Sequence, residues 1–342
     1  MTALRYGLIG FGAMGRNHAR VIQNLEGVQL AGIADPKVEL DALPDGTPMV
    51  ADVEQLLTLR LDACVVAAPT SDHEWLGLML ADAGVHALIE KPLASSSASA
   101  EILREVFEAR GLVGAVGHIE RYNPAIQSLW HHLAAGTLGR LYQLSTRRVG
   151  PFPERIRDVG VVLDLATHDV DLTMWLCGSE YASIDARTAR RDGSEHEDLV
   201  SATGNLYDGT ITNHSVNWVS PLKERLVTVT GSEGALIADT LTADLTYHAN
   251  GTIPINWDPL AQLRGATEGE VVRFAIRKSE PLAIEHRAFR DAILGDEDWT
   301  VPMSEGARAI SVAEEILAAA ARGGKPVARR AATSQGGIEE GG

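Results

Sequence analysis

The chain has 342 residues, 45% of them hydrophobic and 22% charged, and a formal net charge of −16. This length favours two domains, the composition is that of a soluble globular protein, and no apolar run approaches the roughly 20 residues of a membrane span. The acidic balance argues against a nucleic-acid partner, because binding to a phosphate backbone needs a basic face. Cys64 and Cys177 are expected to be free thiols of a cytoplasmic protein, and no cluster has the spacing of zinc ligands.

A glycine-rich turn follows the first predicted strand. Residues 5–9 form a short apolar run, and the sequence Gly10-Phe11-Gly12-Ala13-Met14-Gly15 leads from it into a predicted helix. In such a turn the first glycine allows the bend, the second admits a pyrophosphate, and the third lets the helix pack on the strand. A second strand, 28–34, ends at Asp35, which fits an acceptor for a ribose 2′-hydroxyl. The sequence therefore predicts a dinucleotide site that favours NAD, and Lys37 leaves NADP as the alternative.

Strands and helices alternate up to about residue 118. The predicted strands cover 5–9, 28–34, 63–67, 86–90 and 112–118, and the predicted helices cover about 15–25, 53–59, 72–83 and 97–110. This alternation indicates a parallel sheet with helices on both faces. Together with the glycine-rich turn it predicts a Rossmann dinucleotide-binding domain over residues 1–120.

A charged pair closes the predicted strand over 86–90. Glu90 and Lys91 stand directly before Pro92, and ligands bind at the carboxyl ends of the strands in such sheets. A lysine at this edge can lie near a nicotinamide and polarise a substrate hydroxyl. Taken alone, a surface lysine after a strand is the simpler interpretation.

Asp164 and His168 share one face of a helix predicted over 162–176, because they are four residues apart. A neutral imidazole can accept the proton of a hydroxyl group as a hydride leaves the same carbon. Histidine suits this role because its pKa lies near neutrality. The alternative is an ordinary pair on the helix surface.

Polar side chains are also predicted to line a cleft where the chain crosses into a second domain. The stretch 117–124 contains Glu120 and Tyr122, and Arg147 and Arg148 end the next predicted strand, where they can meet a sugar or a phosphate. A polar hinge and solvated strand ends are the simpler alternatives.

The remaining elements favour an α+β domain over residues 121–328. Helices near 124–135 and 162–176 and a strand over 141–149 precede short β-rich runs between 182 and 248, and helices near 281–294 and 304–322 follow. Turn signals between the β-rich runs are typical of a largely antiparallel sheet. We predict that the helix over 304–322 packs back on the first domain and that 329–342 form a disordered tail. The predicted fold class is therefore α/β.

In combination, these residues resemble the Gfo/Idh/MocA oxidoreductases, of the glucose–fructose oxidoreductase and inositol dehydrogenase type. The resemblance rests on the glycine-rich turn, Asp35-Pro36, Ala68-Pro69-Thr70 with His73, Glu90-Lys91-Pro92, and Asp164 with His168. The family implies a Rossmann domain and an α/β domain whose open-faced sheet often mediates oligomers, here a homodimer or homotetramer. Many members carry glycines just before the catalytic helix and at the position of Ala166. This chain departs from that pattern, so the resemblance does not determine the shape of its substrate pocket.

The resemblance also implies roles for the site residues. Lys91 and His168 act at the substrate, with His168 as the acid–base group and Asp164 as their polar neighbour. The residues predicted to bind the cofactor, from the turn and from the resemblance, are Gly10, Phe11, Gly12, Ala13, Met14, Gly15, Asp35, Pro36, Ala68, Pro69, Thr70, His73, Glu90 and Lys91. The residues predicted to bind the substrate are Lys91, Glu120, Tyr122, Arg147, Asp164 and His168. No metal is predicted.

The predicted activity is the NAD-dependent oxidation of a secondary ring hydroxyl of a sugar, at C3 by the resemblance, to a keto-sugar. The stretch 117–125 resembles that of nucleotide-sugar 3-dehydrogenases of the UDP-N-acetylglucosamine type, whereas the acidic balance favours a sugar unit of an aminoglycoside-type pseudo-oligosaccharide from an antibiotic pathway. The alternatives are an inositol or polyol dehydrogenase, a dehydratase or glycosidase with tightly held NAD, and a non-catalytic NAD-binding regulator. Lys91, Asp164 and His168 together favour an enzyme over a regulator.

Overall fold

Six parallel strands form the first sheet of the protein. The computed structural model describes residues 3–37, 40–152, 159–191, 195–251, 253–254, 267–296 and 299–323. The strands are β1 (Leu4–Ile9), β2 (Val28–Ala34), β3 (Met49–Val50), β4 (Ala63–Val66), β5 (His86–Glu90) and β6 (Gly114–Gly117). Their order in the sheet is β3-β2-β1-β4-β5-β6. The order reverses between β1 and β4, and ligands bind at the carboxyl edge of such a reversal.

Helices follow the strands of this sheet as the alternation predicts. They are α1 (Ala13–Gln23), α2 (Val53–Leu57), α3 (His73–Asp82) and α4 (Ser97–Ala109). The side chain of Asp52 accepts a hydrogen bond from the backbone of Gln55, and Ser96 does the same for Ser99, so α2 and α4 begin at side-chain caps. Residues 63–66 are buried throughout, as a parallel strand covered on both faces requires. Strand β3 was not predicted, because two residues carry no periodicity.

Eight strands form the second sheet, and most of its neighbours are antiparallel. The strands are β7 (Leu141–Val149), β8 (Tyr181–Ala189), β9 (Leu199–Leu206), β10 (Ile211–Asn217), β11 (Glu224–Gly231), β12 (Gly234–Asp239), β13 (Asp244–Ala249) and β16 (Val271–Arg273). Their order is β16-β13-β12-β11-β7-β10-β9-β8, with β7 and β10 parallel. Strands β14 (Ile253–Pro254) and β15 (Thr267–Glu268) pair separately. Burial alternates along β9, which gives this sheet one covered face and one open face.

The other helices cover this second sheet and join it to the first. They are α5 (Pro124–Ala134), a π-helical turn (Val162–Ala166) continued by α6 (Thr167–Cys177), α7 (Pro281–Leu294) and α8 (Met303–Gly323). Helix α8 places Met303, Ala307 and Ile310 in the core of the first sheet, and Val312 and Ile316 in the core of the second.

The predicted helix over 304–322 therefore contacts both parts of the molecule. The predicted domain limits stay predictions, and so does an oligomer formed through the open sheet face. The predicted tail over 329–342 lies outside the described residues. No helix in the described part of the chain is long and apolar enough to cross a lipid bilayer.

Candidate active site

The three glycines of the N-terminal turn differ in what surrounds them. Gly10 has a φ of +90°, and a Cβ there would lie 2.5 Å from the carbonyl oxygen of Ala67, while a Cβ on Gly15 would lie 2.0 Å from the carbonyl oxygen of Gly10. These two glycines are required by the fold itself. A Cβ on Gly12 would meet nothing within 4 Å, and helix α1 begins at the next residue. The turn thus leaves open space at the N-terminus of α1, where a pyrophosphate can bind backbone N–H groups.

Replacement of Gly12 by alanine is expected to leave the fold intact and to weaken NAD binding about tenfold or more, because the added methyl group fills the phosphate space. The φ of Gly12 is −69°, which alanine adopts freely. Gly15→Ala is expected to lower the melting temperature instead, because its methyl group meets the backbone of Gly10. Isothermal titration with NAD and thermal unfolding separate the two effects. A Gly12→Ala protein with wild-type NAD affinity would contradict the assignment.

The Asp35 carboxylate is held at the end of β2 by two backbone donors. Its Oδ2 accepts the N–H of Phe11 at 2.7 Å, and its Oδ1 accepts the N–H of Lys37 at 2.8 Å. A carboxylate has further acceptor sites on both oxygens. Asp35 is therefore fixed beside the glycine turn with capacity left for ribose hydroxyls. Pro36 is exposed next to it.

The loop after β4 is tied to the loop after β5 by His73. The two ring nitrogens of His73 lie 3.0 Å from the carbonyl oxygen of Ala68 and 2.9 Å from that of Pro92. His73 is 1% exposed, so its predicted place beside the cofactor is wrong: the ring lies beneath the loop and supports it. Pro69 is exposed and Thr70 half-buried on the same loop, where both stay predicted cofactor contacts.

Glu90 is turned toward α1 and lies in a buried polar chain. Its Oε1 is 2.9 Å from Nε2 of His18, whose Nδ1 is 2.8 Å from Nε2 of His286. Its Oε2 accepts the backbone N–H of Lys91 at 3.1 Å. Glu90 thereby links the cofactor-side helix to the strand end that carries Lys91.

The Lys91 ammonium group reaches across to the second part of the molecule and meets Asp164. Its Nζ lies 2.7 Å from Oδ1 of Asp164 and donates to the carbonyl oxygen of the same residue at 2.8 Å. Both side chains are mostly buried, with 17% and 12% exposed. A lysine has three donors, so this pair fixes the ammonium group and leaves one N–H for a ligand.

Asp164 lies in the π-helical turn that precedes α6, not in a regular α-helix as the spacing predicts. Single π turns inside helices are rare and are frequent at functional sites. The widened turn brings both the carboxylate and the backbone carbonyl of Asp164 to one ammonium group. His168 follows in the first turn of α6.

His168 is buried and uncharged at neutral pH. The residue is 8% exposed, and its Nδ1 has no hydrogen-bond partner among the residues that the structure describes. Burial, and after it the positive charges of Lys91 and Arg148, hold the pKa of His168 well below its usual value of 6.5. A neutral imidazole beside a fixed ammonium group can accept a proton from a hydroxyl group that lies between them.

Comparisons with known proteins identify the family of this chain. Residues 4–118 match the sequence profile of the oxidoreductase family with an NAD-binding Rossmann fold, and residues 126–237 match that of the GFO/IDH/MocA C-terminal domain. The chain belongs to the GFO/IDH/MocA oxidoreductase family. It is an oxidoreductase that acts on CH–OH groups, with an NAD-binding Rossmann domain and a second domain of mostly antiparallel sheet. The predicted family and fold class are confirmed.

Several relatives of this GFO/IDH/MocA protein are known. It is 30% identical over 332 residues to UDP-N-acetylglucosamine 3-dehydrogenase of Acidithiobacillus ferrooxidans, a match that covers 93% of this chain and 98% of the relative. The solved structure of that enzyme has a TM-score of 0.80 at 28% identity, again covering 93% and 98%. Inositol 2-dehydrogenase 4 of Saccharopolyspora erythraea is 33% identical over 196 residues, 55% of this chain and 58% of the relative.

A further structure has the same fold at lower identity. GenD2 from gentamicin A biosynthesis, solved in complex with NAD, has a TM-score of 0.79 at 23% identity and covers 94% of this chain and 95% of its own. The likeness at this identity concerns the fold. Within the described parts of this family member, no group of three or more His, Cys, Asp or Glu side chains could hold a metal ion.

Of the two adjacent arginines at the end of β7, Arg148 reaches the site and Arg147 does not. Arg148 is 3% exposed; its Nε donates to Asp169 at 2.9 Å and its Nη1 to Glu120 at 2.8 Å. The predicted substrate contact of Arg147 is wrong, because successive side chains of a strand point to opposite faces. Its side chain is 52% exposed on the open face, where it pairs with Glu224. Glu120 joins the site through Arg148.

Tyr122 is also predicted at the substrate, and the structure places it in the core. It is 2% exposed, its hydroxyl group lies 3.4 Å from the carbonyl oxygen of Trp299, and the two rings are 5.4 Å apart. The residues from 119 to 122 form a short 3₁₀ helix, which turns the tyrosine away from the cleft. The predicted substrate contact of Tyr122 is therefore wrong.

Two residues at the site were not predicted as site residues. The His118 ring lies 6.2 Å from the His168 ring, and its Nδ1 is 3.7 Å from Oδ2 of Asp171. Arg225 lies directly opposite Arg148 across β7 and β11. Arg225 follows the same alternation as the buried Val227 and Val229, and a charged side chain in phase with an apolar face is the signal that identifies it.

Proposed function

We propose that the protein oxidises a secondary ring hydroxyl of a sugar to a keto-sugar, with C3 as the expected position. The observation that carries this proposal is the meeting of Lys91, Asp164 and His168 at the carboxyl edge of the parallel sheet. NAD, held by the glycine turn and Asp35, would supply the acceptor for the hydride that leaves the carbinol carbon. The oxidation requires a base that accepts the hydroxyl proton and a hydrogen-bond donor to the carbinol oxygen, and His168 and Lys91 can fill these two roles.

Each of the three residues has one task in this proposal. His168, neutral at physiological pH, accepts the hydroxyl proton. The free N–H of Lys91 donates to the carbinol oxygen and stabilises the negative charge that develops there. Asp164 uses its Oδ1 to hold the ammonium group of Lys91 and so fixes the direction in which that group points.

The proposed substrate is a nucleotide sugar of the UDP-N-acetylglucosamine type. The enzyme of A. ferrooxidans, named for that substrate, matches nearly the whole of both chains. A sugar unit of an aminoglycoside-type pseudo-oligosaccharide is the second candidate, supported by the net charge of −16. Inositol is a third, because the inositol dehydrogenases match just over half of this chain.

The test is NADH absorbance after the protein and NAD are mixed with each compound separately: UDP-N-acetylglucosamine, an aminoglycoside pseudo-oligosaccharide and myo-inositol. We expect NADH with UDP-N-acetylglucosamine. NADH with only the pseudo-oligosaccharide or only inositol overturns the substrate assignment and keeps the reaction class. Binding of NAD without NADH from any sugar or polyol contradicts the dehydrogenase proposal and favours the regulator.

A further inference from the structure

Two arginines lie side by side on the covered face of the second sheet. Arg225 of β11 and Arg148 of β7 are direct antiparallel partners, so their side chains leave the sheet on the same face with Cβ atoms about 5 Å apart. This face lies toward His168, because Arg148 donates from Nε to Oδ1 of Asp169, the residue that follows His168, at 2.9 Å. Adjacent like charges are destabilising unless each has an anionic partner.

Among the residues that the structure describes, one of the two arginines has such a partner. Arg148 bridges Asp169 and Glu120. Arg225 donates from one nitrogen, Nη1, to the carbonyl oxygens of Val149 at 2.7 Å and of its neighbour Glu224 at 2.9 Å. Within the described ranges no carboxylate lies in ion-pair distance of Arg225. Burial and the adjacent Arg148 lower the pKa of its guanidinium group.

The two backbone bonds hold the guanidinium group in one place, and its other donors have no hydrogen-bond partner in the described part of the chain. A guanidinium group presents five N–H donors in a rigid fork that matches phosphate and carboxylate oxygens. Gly150 borders it: a Cβ on Gly150 would lie 3.9 Å from Nη1 of Arg225 and 3.7 Å from Cγ of Lys223. Lys223 is exposed. The side chain of a second basic residue, Lys223, thus also borders Gly150.

We propose that Arg225 binds an anionic group of the substrate, a phosphate or a carboxylate, while Lys91 and His168 act on the ring hydroxyl. The proposal rests on the proposed function and narrows it. A half-buried cation with free donors beside the reacting residues attracts an anionic sugar and repels a cationic pseudo-oligosaccharide. The negative charge of the whole protein does not decide the substrate, because a substrate group that reaches Arg225 meets a positively charged side chain.

The experiment measures binding of small anions by isothermal titration to the full chain loaded with NAD. The probes are UDP, inorganic pyrophosphate and glucuronate, and the variants are Arg225→Gln, Arg225→Lys and the control Arg273→Gln. Arg273 is 68% exposed and pairs with Asp244 on the edge strand of the same sheet. We expect Arg225→Gln to weaken UDP binding about tenfold or more, Arg225→Lys to restore part of it, and Arg273→Gln to change it less than about twofold.

The probes distinguish the source of the anion. Arg225-dependent binding of UDP and pyrophosphate assigns a diphosphate, and Arg225-dependent binding of glucuronate alone assigns a sugar carboxylate. Equal binding of every probe to the wild type and Arg225→Gln, or no binding to either, overturns the proposal. Thermal unfolding and NAD titration test whether Arg225→Gln keeps its fold and its cofactor site. If it does not, Arg225→Lys is used in its place.

Turnover gives a second, independent reading. With an anionic substrate, Arg225→Gln is expected to raise KM about tenfold and to change kcat little, because a contact remote from the reacting carbon binds ground state and transition state alike. A lower KM of the wild type for a cationic pseudo-oligosaccharide than for an anionic sugar would overturn the proposal. Absence of NADH with every sugar contradicts the proposed function but leaves the binding result for Arg225 intact, so the two failures are distinguishable.

Discussion

Replacement of His168 by asparagine is expected to lower kcat about 10²–10⁴-fold, the usual contribution of a positioned general base. Asparagine preserves a planar polar side chain in the buried site but cannot accept the hydroxyl proton. Affinity for NAD should change less than about twofold, because the predicted cofactor residues lie on the glycine turn, at the end of β2 and after β4 and β5, and none lies on α6. Initial rates of NADH formation and NAD titration of the same preparation measure the two effects.

The control for this variant is His131→Asn. His131 is exposed in the last turn of α5, and its ring lies 5.1 Å from the neighbouring Trp130 ring. It should keep the wild-type kcat. A His168→Asn protein with wild-type turnover would show that another group accepts the proton.

The pH dependence of kcat/KM follows from the same imidazole. The proposed oxidation requires neutral His168, and burial with the nearby cations holds the pKa of this residue well below 6.5. The kcat/KM of the wild type should therefore stay level as the pH falls through 6.5. It should decline only at lower pH, where the His168 imidazole becomes protonated. His168→Asn should lack this acidic decline.

The Rossmann part of the molecule follows from local sequence rules, and so it was predictable. A glycine turn between an apolar strand and a helix has few other solutions, and the strand and helix limits from 5 to 110 agree closely with the structure. Asp35 lies beside the turn because β2 is parallel to β1 and ends at the same edge. In these elements, neighbours in space are also near neighbours in sequence or in the βαβ order.

The substrate side was predicted less well, because tertiary structure decides it. Sequence does not say which of Arg147 and Arg148 faces the core until the register of β7 is known, and a shift of one residue exchanges them. Arg225 reaches Arg148 only because β11 lies beside β7, with 76 residues between the two positions along the chain. The inward turn of Tyr122 depends on the packing of Trp299 from a distant segment.

The buried chain of His286, His18 and Glu90 illustrates the same limit. His18 stands one turn into α1, and its position predicts only a helix-face residue. The partners of its ring come from β5 and α7, and no local pattern announces either contact. Glu90 contacts His18 and the backbone N–H of Lys91. These contacts give its carboxylate a structural role, so the charge of Glu90 does not require a direct contact with the cofactor.

Replacement of Lys91 by methionine is expected to lower kcat about 10²–10³-fold, as loss of one donor to a developing oxyanion does. The same change removes the positive charge that lowers the pKa of His168 most, so that pKa should rise. The acidic decline of kcat/KM should therefore move to higher pH. Full pH profiles of the wild type and Lys91→Met measure both effects at once.

Two further variants separate the charge of Lys91 from its geometry. Lys91→Arg keeps the positive charge but cannot reproduce the compact ammonium group held by Asp164, so kcat should fall while the acidic decline stays near its wild-type pH. Lys278→Met is the matched control, because Lys278 pairs with a carboxylate, Asp244, on the far edge of the second sheet and is 54% exposed; neither quantity should change. If Lys91→Met lowers kcat without moving the decline, Lys91 donates to the substrate but does not set the basicity of His168, and the two residues act independently.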